Sequence, residues 1–494
     1  MQKARKPQPE GWMTLRHERR DYGLYMIGQN IIYTFVTTFM VTYMLMCGIP
    51  PIKSAVIMLV VKVWDAVNDM LFGGLMDKIK FKKQVKFLPW IRISVVFIPL
   101  FTFIMYAIPG SIGENSKLIW FAAAYVLWES FYTLCDAPIY GIVTTMTSNL
   151  HERNTIMSHA RIYAALGAGL PALLGAYLVS REVGMSFTSV GAIFSALALA
   201  TMLPVSIRGK ERNFTTTDQE QEFGIREMFR YLVSNKYLFI FFGSYLICRC
   251  LGTNEILNLF VSYYLFGNEL FSVILMVLTY LPVAILAIFA PRLLKLVDKY
   301  KLFFYCNLAS TVLGLLIYIV GYQNIYLFAG LNMLRGIPNG IIAFLVFMFT
   351  PDCAEYGKFK SGVDARGITF SLQTFSAKLT GSVATALGMF IIGLFGWKEV
   401  VAESFEELIA LEAAQGPLQN AQAINGLWIT YALVPVIGFA LGTVILYFYR
   451  LSNQDVQAMS DCNAGKISRE EAIGQLSPRI KREFAEHEML SPII

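Results

Sequence analysis

Residues 54–78 read SAVIMLVVKVWDAVNDMLFGGLMDK, and their reading decides the fold. Through residue 76 the stretch is apolar except for Lys62, Asp65, Asn68 and Asp69, and it is long enough to cross a ~30 Å hydrocarbon core. The basic residues Lys78, Lys80, Lys82, Lys83 and Lys86 follow at once. A membrane span that ends on a basic loop accounts for both features. Soluble proteins do not contain repeated apolar runs of this length.

Working outward, the same pattern recurs twelve times. Spans are predicted at 22–47, 54–76, 88–109, 118–146, 157–180 and 186–207, then at 236–266, 271–297, 302–322, 325–350, 367–395 and 424–449. The composition agrees. Of 494 residues 56% are hydrophobic and 15% charged, where a soluble chain carries about 25% charged residues. The mean hydropathy is +0.53. A polar stretch at 208–230 contains GKERNFTTTDQEQEFG and separates the two sets of six. The expected organisation is a tail (1–20), a six-helix half (21–207), a linker (208–235), a second six-helix half (236–450) and a C-terminal tail (451–494).

Most of the 41 Lys and Arg fall in the tails, the linker and the even-to-odd connections. Only Lys53, Lys117, Arg181 and Lys398 are assigned to the opposite side, so both termini are expected in the cytoplasm of a plasma-membrane protein. The +7 net charge is then topology and not a nucleic-acid patch. No cleavable leader is expected, because the first 20 residues are basic and polar. Seven scattered cysteines form no CxxC pair, and no HExxH, P-loop or G-x-S-x-G appears. An enzyme is not expected, nor any cofactor.

Charges inside the spans need partners or a wet cavity, because each costs several kcal/mol in hydrocarbon. Lys62, Asp65 and Asp69 share one face of the second span, with Asn68 beside them. Two carboxylates one turn apart repel unless a cation sits between them or one takes a proton, so Asp65 and Asp69 are candidates for a Na⁺ or H⁺ site. The fourth span carries Glu129, Thr133, Asp136 and Tyr140 on one stripe, flanked by Trp128 and Tyr132. Aromatics beside a carboxylate suit a sugar, and a structural ion pair fits the pattern equally well. Arg161 and Lys378 supply compensating positive charge, with Gln373 and Thr374 one turn from Lys378. Arg249, Glu255 and Arg335 read as structural pairs or helix-end residues. Ser468-Arg469-Glu470-Glu471 in the tail reads as a capping box that opens a short surface helix.

Six spans, a basic linker and six more resemble the major facilitator superfamily. The loop Gly73-Gly74-Leu75-Met76-Asp77-Lys78 resembles that superfamily's G-x-x-x-D-R/K, and Pro291 through Lys299 keeps the charges of the second-half loop without its glycine. More specific motifs resemble the glycoside–pentoside–hexuronide:cation symporters, the family of melibiose permease. They are Trp64-Asp65-Ala66-Val67-Asn68-Asp69, Lys86-Phe87-Leu88-Pro89-Trp90, Trp128 through Pro138, Met146-Thr147 with Glu152-Arg153, and Asp352 through Gly357 with Ser371 through Lys378. The resemblance implies an all-α fold of twelve transmembrane helices and a monomeric carrier coupled to Na⁺, Li⁺ or H⁺. It implies cation ligands at Asp65, Asp69 and Thr133, beside Asn68. It also implies a sugar site from Gln29, Asn30, Trp128, Asp136, Tyr140, Arg161, Gln373, Thr374 and Lys378, around a central cavity between the halves.

Departures from the family pattern bear on substrate. Gln29-Asn30 stand where melibiose permease has Lys-Asp, Glu129 where it has Gly and Tyr140 where it has Trp, and Asp364 and Arg366 exchange a charged order. The leading expectation is a cation-coupled symporter of a sugar, glycoside or hexuronide. A carrier of lysophospholipids or other amphipathic solutes is the alternative, and it requires an apolar tail cleft.

Overall fold

The computed structural model describes residues 11–79, 81, 85–212, 226, 233–362 and 366–489. The side chains of 66, 67, 69–71, 73–78, 283–285, 287–296, 366, 371 and 485–489 lie outside that description. The described elements are helical except for one isolated bridge between Cys47 and Val401. Among the described residues nine helices are long and apolar enough to cross a membrane. By contacts the chain divides into two units, residues 1–218 with 268–273 and 389–424, and the remainder.

The first unit contains α1 (Arg16–Met46), α2 (Pro51–Lys78), α3 (Leu88–Met105), α4 (Glu114–Met146), α5 (Leu150–Val179) and α6 (Phe187–Arg208). α1 lies against α5 and α6, α3 against α4 and α6, and α2 against α4. Apolar burial does not drive helices together in lipid, so close packing at small residues must. A Cβ on Gly28 of α1 would lie 2.8 Å from the Ala198 carbonyl of α6, and one on Gly167 of α5 would lie 2.4 Å from the Ile27 carbonyl. These two approaches fix the rotation of α1.

The helix ends are tied by charge. Glu152 is fully buried and accepts from the Met13 and Thr14 amides at 2.9 and 3.0 Å and from the Thr147 hydroxyl at 2.6 Å. Arg153 donates to the carbonyls of Thr147 and Thr144, which covers the exposed C-terminal end of α4. The start of the expected linker is not free. Arg208 pairs with Asp21, Arg212 pairs with Glu18, and Glu211 accepts from the amides of Lys86, Phe87 and Leu88 at the N-terminus of α3. Ala402 and Phe187 complete this unit at its other end, bonding to Met46 O and Glu403 O beside α13 (Phe405–Gln415).

The second unit contains α7 (Lys236–Cys250), α8 (Asn258–Phe266), α9 (Phe271–Leu296), α10 (Lys299–Val320), α11 (Ile325–Ser361), α12 (Arg366–Leu394) and α14 (Ala421–Leu446). Both α9 and α12 lend one end to the first unit, as α14 does with its first residues. The expected seventh span is broken between α7 and α8. There the fully buried Thr253 hydroxyl bonds to the Thr430 carbonyl, in a π turn of α14. A wide π turn leaves carbonyls free for such side chains. The tail folds as α15 (Asn453–Asn463), α16 (Arg469–Gln475), whose Ser468–Glu471 capping box is present, and α17 (Pro478–Met489).

Glu483 anchors α17. Its carboxylate accepts from the Tyr356 and Tyr237 hydroxyls, both at 2.9 Å, and from Lys236 at 3.1 Å. Burial pushes the carboxyl up, but the two tyrosine bonds and the Lys236 charge outweigh it and hold it below the usual glutamate range. A depressed carboxylate contributes stability above its unfolded pKa near ~4.3, and that stability is lost as pH falls through the lowered value. Amide hydrogen exchange over residues 478–489 should therefore accelerate only below about pH 4. Glu483→Ala should accelerate it at neutral pH, because the stranded tyrosine hydroxyls cost about 2 kcal/mol. Unchanged exchange in that variant would show that the anchor does not hold the helix.

Candidate cation and substrate site

α4 carries most of the expected groups, and its neighbours decide which way each one points. Gly28 presses α1 onto α6, and the next residue, Gln29, is buried against α4. Gln29 Nε2 donates to Asp136 Oδ1 at 2.8 Å and reaches the Tyr132 hydroxyl at 3.4 Å. Its Oε1 is buried with no hydrogen-bond partner. Asn30 is half-buried, and its amide donates to the Met26 carbonyl of its own helix. The Tyr33 ring, one turn beyond Gln29, lies 5.7 Å from Tyr132.

Trp128 stacks on Tyr132 with centroids 4.9 Å apart and planes 23° apart. It is 3% exposed, and its indole N–H donates to Thr102 of α3 at 3.0 Å. The indole thus packs behind Tyr132. Asp136 is half-buried, whereas Tyr140 and Arg161 are exposed, and the Arg161 charge acts on the Tyr140 phenol. Gln29, Trp128, Asp136, Tyr140 and Arg161 therefore share one electrostatic neighbourhood, with Tyr132 at its centre.

The other side of α4 meets α2. The Trp64 indole donates to Ser130 Oγ at 3.0 Å and sets the depth of α2. Asn68 is fully buried and donates from Nδ2 to Thr133 Oγ1 at 2.9 Å, while its Oδ1 has no hydrogen-bond partner. Asp65 is buried and pairs with Lys62 one turn earlier. Glu129 and Asp65 both act on Tyr125, which brings a further carboxylate near the pair. The Asp69 side chain lies outside the described residues, as do those of the Asp77 and Pro291 loops, Asp364 and the Arg366 side chain.

In the second unit Gln373, Thr374 and Lys378 lie along α12. Gln373 is half-buried with Oε1 lacking a hydrogen-bond partner, and Thr374 and Lys378 are exposed. Arg249 and Glu255 interact electrostatically across the break after α7. Arg335, read as a structural pair or a helix-end residue, is buried with its guanidinium 5.6 Å from the Phe439 ring centroid, and its Nε has no hydrogen-bond partner among the described residues.

The orphaned acceptors matter most for chemistry. Buried polar atoms are nearly always paired, and among the described residues Gln29 Oε1 and Asn68 Oδ1, both beside α4, have no partner. Lys62 holds Asp65 as an internal cation that neutralises its carboxylate. Sequence reasoning placed Lys62 on the correct face but gave it no role, and the i, i+3 spacing to Asp65 was the available signal. Tyr33 was missed, although it stands at i+4 from Gln29. Thr102 carries no sequence signal, because it is one hydroxyl in an apolar run.

The model of a family described as MFS/sugar transport protein matches residues 21–453. An isoprimeverose transporter of Lactiplantibacillus pentosus is 24% identical over 466 residues, covering 90% of each chain. A glucuronide carrier protein homolog of Escherichia coli (strain K12) is 22% identical over 447 residues, covering 88% of this chain and 92% of the relative. Among solved structures, the nucleoside transporter NupG is similar with a TM-score of 0.64 at 12% identity, over 88% of this chain and all of that one.

Trp128→Phe keeps a ring on Tyr132 but removes the indole hydrogen bond to Thr102 Oγ1, whose own bond to the Ile98 carbonyl remains. It should lower thermal stability by about 1 kcal/mol in detergent and leave the helix content unchanged by circular dichroism. No loss of stability would mean that the indole bond does not hold the aromatic stack.

Proposed function

Because the chain belongs to the MFS/sugar transport protein family, among the glycoside–pentoside–hexuronide:cation symporters, we propose that it carries a sugar, glycoside or hexuronide across the membrane by Na⁺- or H⁺-coupled symport. It is a multi-pass membrane transporter and not an enzyme. Twelve crossings with both termini in the cytoplasm, a monomeric state and alternating access complete the reading.

The observation that carries it is the Gln29–Asp136–Tyr132 set, with orphaned acceptors at Gln29 and Asn68 on either side of α4. Sugar hydroxyls both donate and accept. One that donates to Gln29 Oε1 satisfies a buried acceptor that has no partner among the described residues, and an exposed tyrosine face suits the C–H side of the ring. Asp65, Asp69, Asn68 and Thr133 supply the hard oxygens an alkali ion or proton needs. The ion displaces the Lys62 ammonium from Asp65, and Asn68 passes that change to Thr133, three residues before Asp136. Arg161, Tyr140 and, on α12, Gln373, Thr374 and Lys378 complete the substrate contacts. A lysophospholipid carrier is not favoured, because the relatives are named for sugars and glucuronides.

Uptake into proteoliposomes, screened over sugars, uronides and lysolipids with and without Na⁺ or pH gradients, tests this reading. Asp65→Asn and Asp69→Asn should abolish gradient-driven accumulation while expression persists, and full cation dependence in both variants would refute the assignment.

Asp136→Asn should raise the substrate KM about tenfold, because a charge-assisted bond becomes a neutral one, and should leave cation affinity nearly unchanged. Equal loss of both would move Asp136 into the cation site. The amide at Asn30 is a weaker acceptor than the carboxylate of galactoside carriers, so galactosides should be poor substrates. Asn30→Asp should shift the ranking of ligands toward them, and an unchanged ranking would remove Asn30 from the specificity site.

A further inference from the structure

A cleft of about 290 Å³ opens at the end of the second unit where α10 begins and α14 ends. Lys301, Arg450 and Arg479 line it. All three are exposed, and among the described residues none forms an ion pair or a side-chain hydrogen bond. Two acids, Asp298 and Asp455, also line it, but their oxygens are already occupied. Asp298 accepts from the amides of Tyr300, Lys301 and Asn453, and Asp455 from the amides and hydroxyls of Ser452 and Ser477. Those acids therefore hold the walls of the cleft and leave the three bases without acceptors.

α10, α15 and α17 all begin at this cleft, at Lys299, Asn453 and Pro478, and Asp298 already takes the first amides of α10 and α15, so the open positive charge is that of the three side chains. Three unpaired cations around one opening call for a phosphate-sized anion. The volume is at the lower end of ligand pockets and suits a phosphate with its glycerol neighbour, not a whole amphiphile.

The surroundings identify the source of that phosphate. Lys301 begins an exposed stripe on α10 that continues through Tyr305, Leu308 and Val312 at spacings of four, three and four. Leu441 and Val444 of α14, with Tyr447 just past its end, form a second exposed stripe that leads to Arg450. α10 and α14 pack against each other, and the Tyr300 hydroxyl bonds to the Leu446 carbonyl between them. A free anion would have no use for two apolar stripes that end at its site. We propose that this cleft binds an anionic phospholipid, with its phosphate against Lys301, Arg450 and Arg479 and its acyl chains along α10 and α14. The site is separate from the carrier's cargo path and fastens the C-terminal tail helices to the bilayer surface.

Native mass spectrometry of the full-length protein, titrated with phosphatidylglycerol, phosphatidylcholine or inorganic phosphate, tests the proposal. Phosphatidylglycerol should bind in preference to phosphatidylcholine, and inorganic phosphate should not displace it at millimolar concentration. Arg450→Gln with Arg479→Gln should weaken phosphatidylglycerol binding about 30-fold, from the electrostatic attraction of two basic residues near a lipid surface. Lys466→Gln, a basic tail residue outside the cleft and paired with Asp461, serves as the control and should not weaken it. Unchanged lipid binding in the double variant would overturn the site. Displacement by inorganic phosphate would overturn the lipid assignment. Melting temperature in phosphatidylcholine alone verifies that the double variant is folded.

Discussion

A polar group left unpaired in hydrocarbon costs several kcal/mol, and this constraint shapes the protein more than any single contact. The molecule meets it locally at nearly every charged helix end. Glu152 takes bonds from Met13, Thr14 and Thr147, Glu269 takes the Arg181 guanidinium and amide, and Glu211 closes the N-terminus of α3. Among the described residues Gln29 Oε1 and Asn68 Oδ1 are two of the buried atoms left without a partner, and both lie beside α4. A carrier needs such atoms. Groups that are satisfied only when cargo and ion are present make the loaded state differ in energy from the empty one.

α4 is the wall shared by the two sets of groups. Thr133 faces α2 through Asn68, and Asp136, less than one turn later, faces α1 through Gln29. The glycine approaches that hold α1, and the Trp64–Ser130 bond that holds α2, fix both partners against the same helix. The two hydrogen bonds therefore meet α4 within one turn of each other.

The apolar runs made the helices legible, because a span must be long and apolar whatever it packs against. The sixth was expected at 186–207 and is found at Phe187–Arg208, and the Ser468 capping box announced α16 from four residues. The break after Cys250 was missed, although Arg249, Gly252, Thr253, Asn254 and Glu255 interrupt the apolar run from 236 to 266 at that point. The docking of Glu211 on Lys86, Phe87 and Leu88 was hidden, because it joins residues more than 120 positions apart. At the site, periodicity put Lys62, Asp65 and Asp69 on one face with Asn68 beside them, but the pairing of Lys62 with Asp65 is set by side-chain rotamers that no spacing encodes. Arg335 shows the same limit, for the aromatic ring it faces belongs to another helix and leaves no mark in the spacing.

The central claim is that ion and substrate groups meet on α4 and are energetically linked. Substrate dissociation constants measured by calorimetry on the purified protein, with Na⁺ varied at fixed pH and pH varied without Na⁺, test it most directly. The account predicts that one of the two cations tightens substrate binding about fivefold or more, and that Asn68→Ala removes most of that gain. Equal substrate affinity under every ionic condition, in a protein that still binds its substrate, would contradict it.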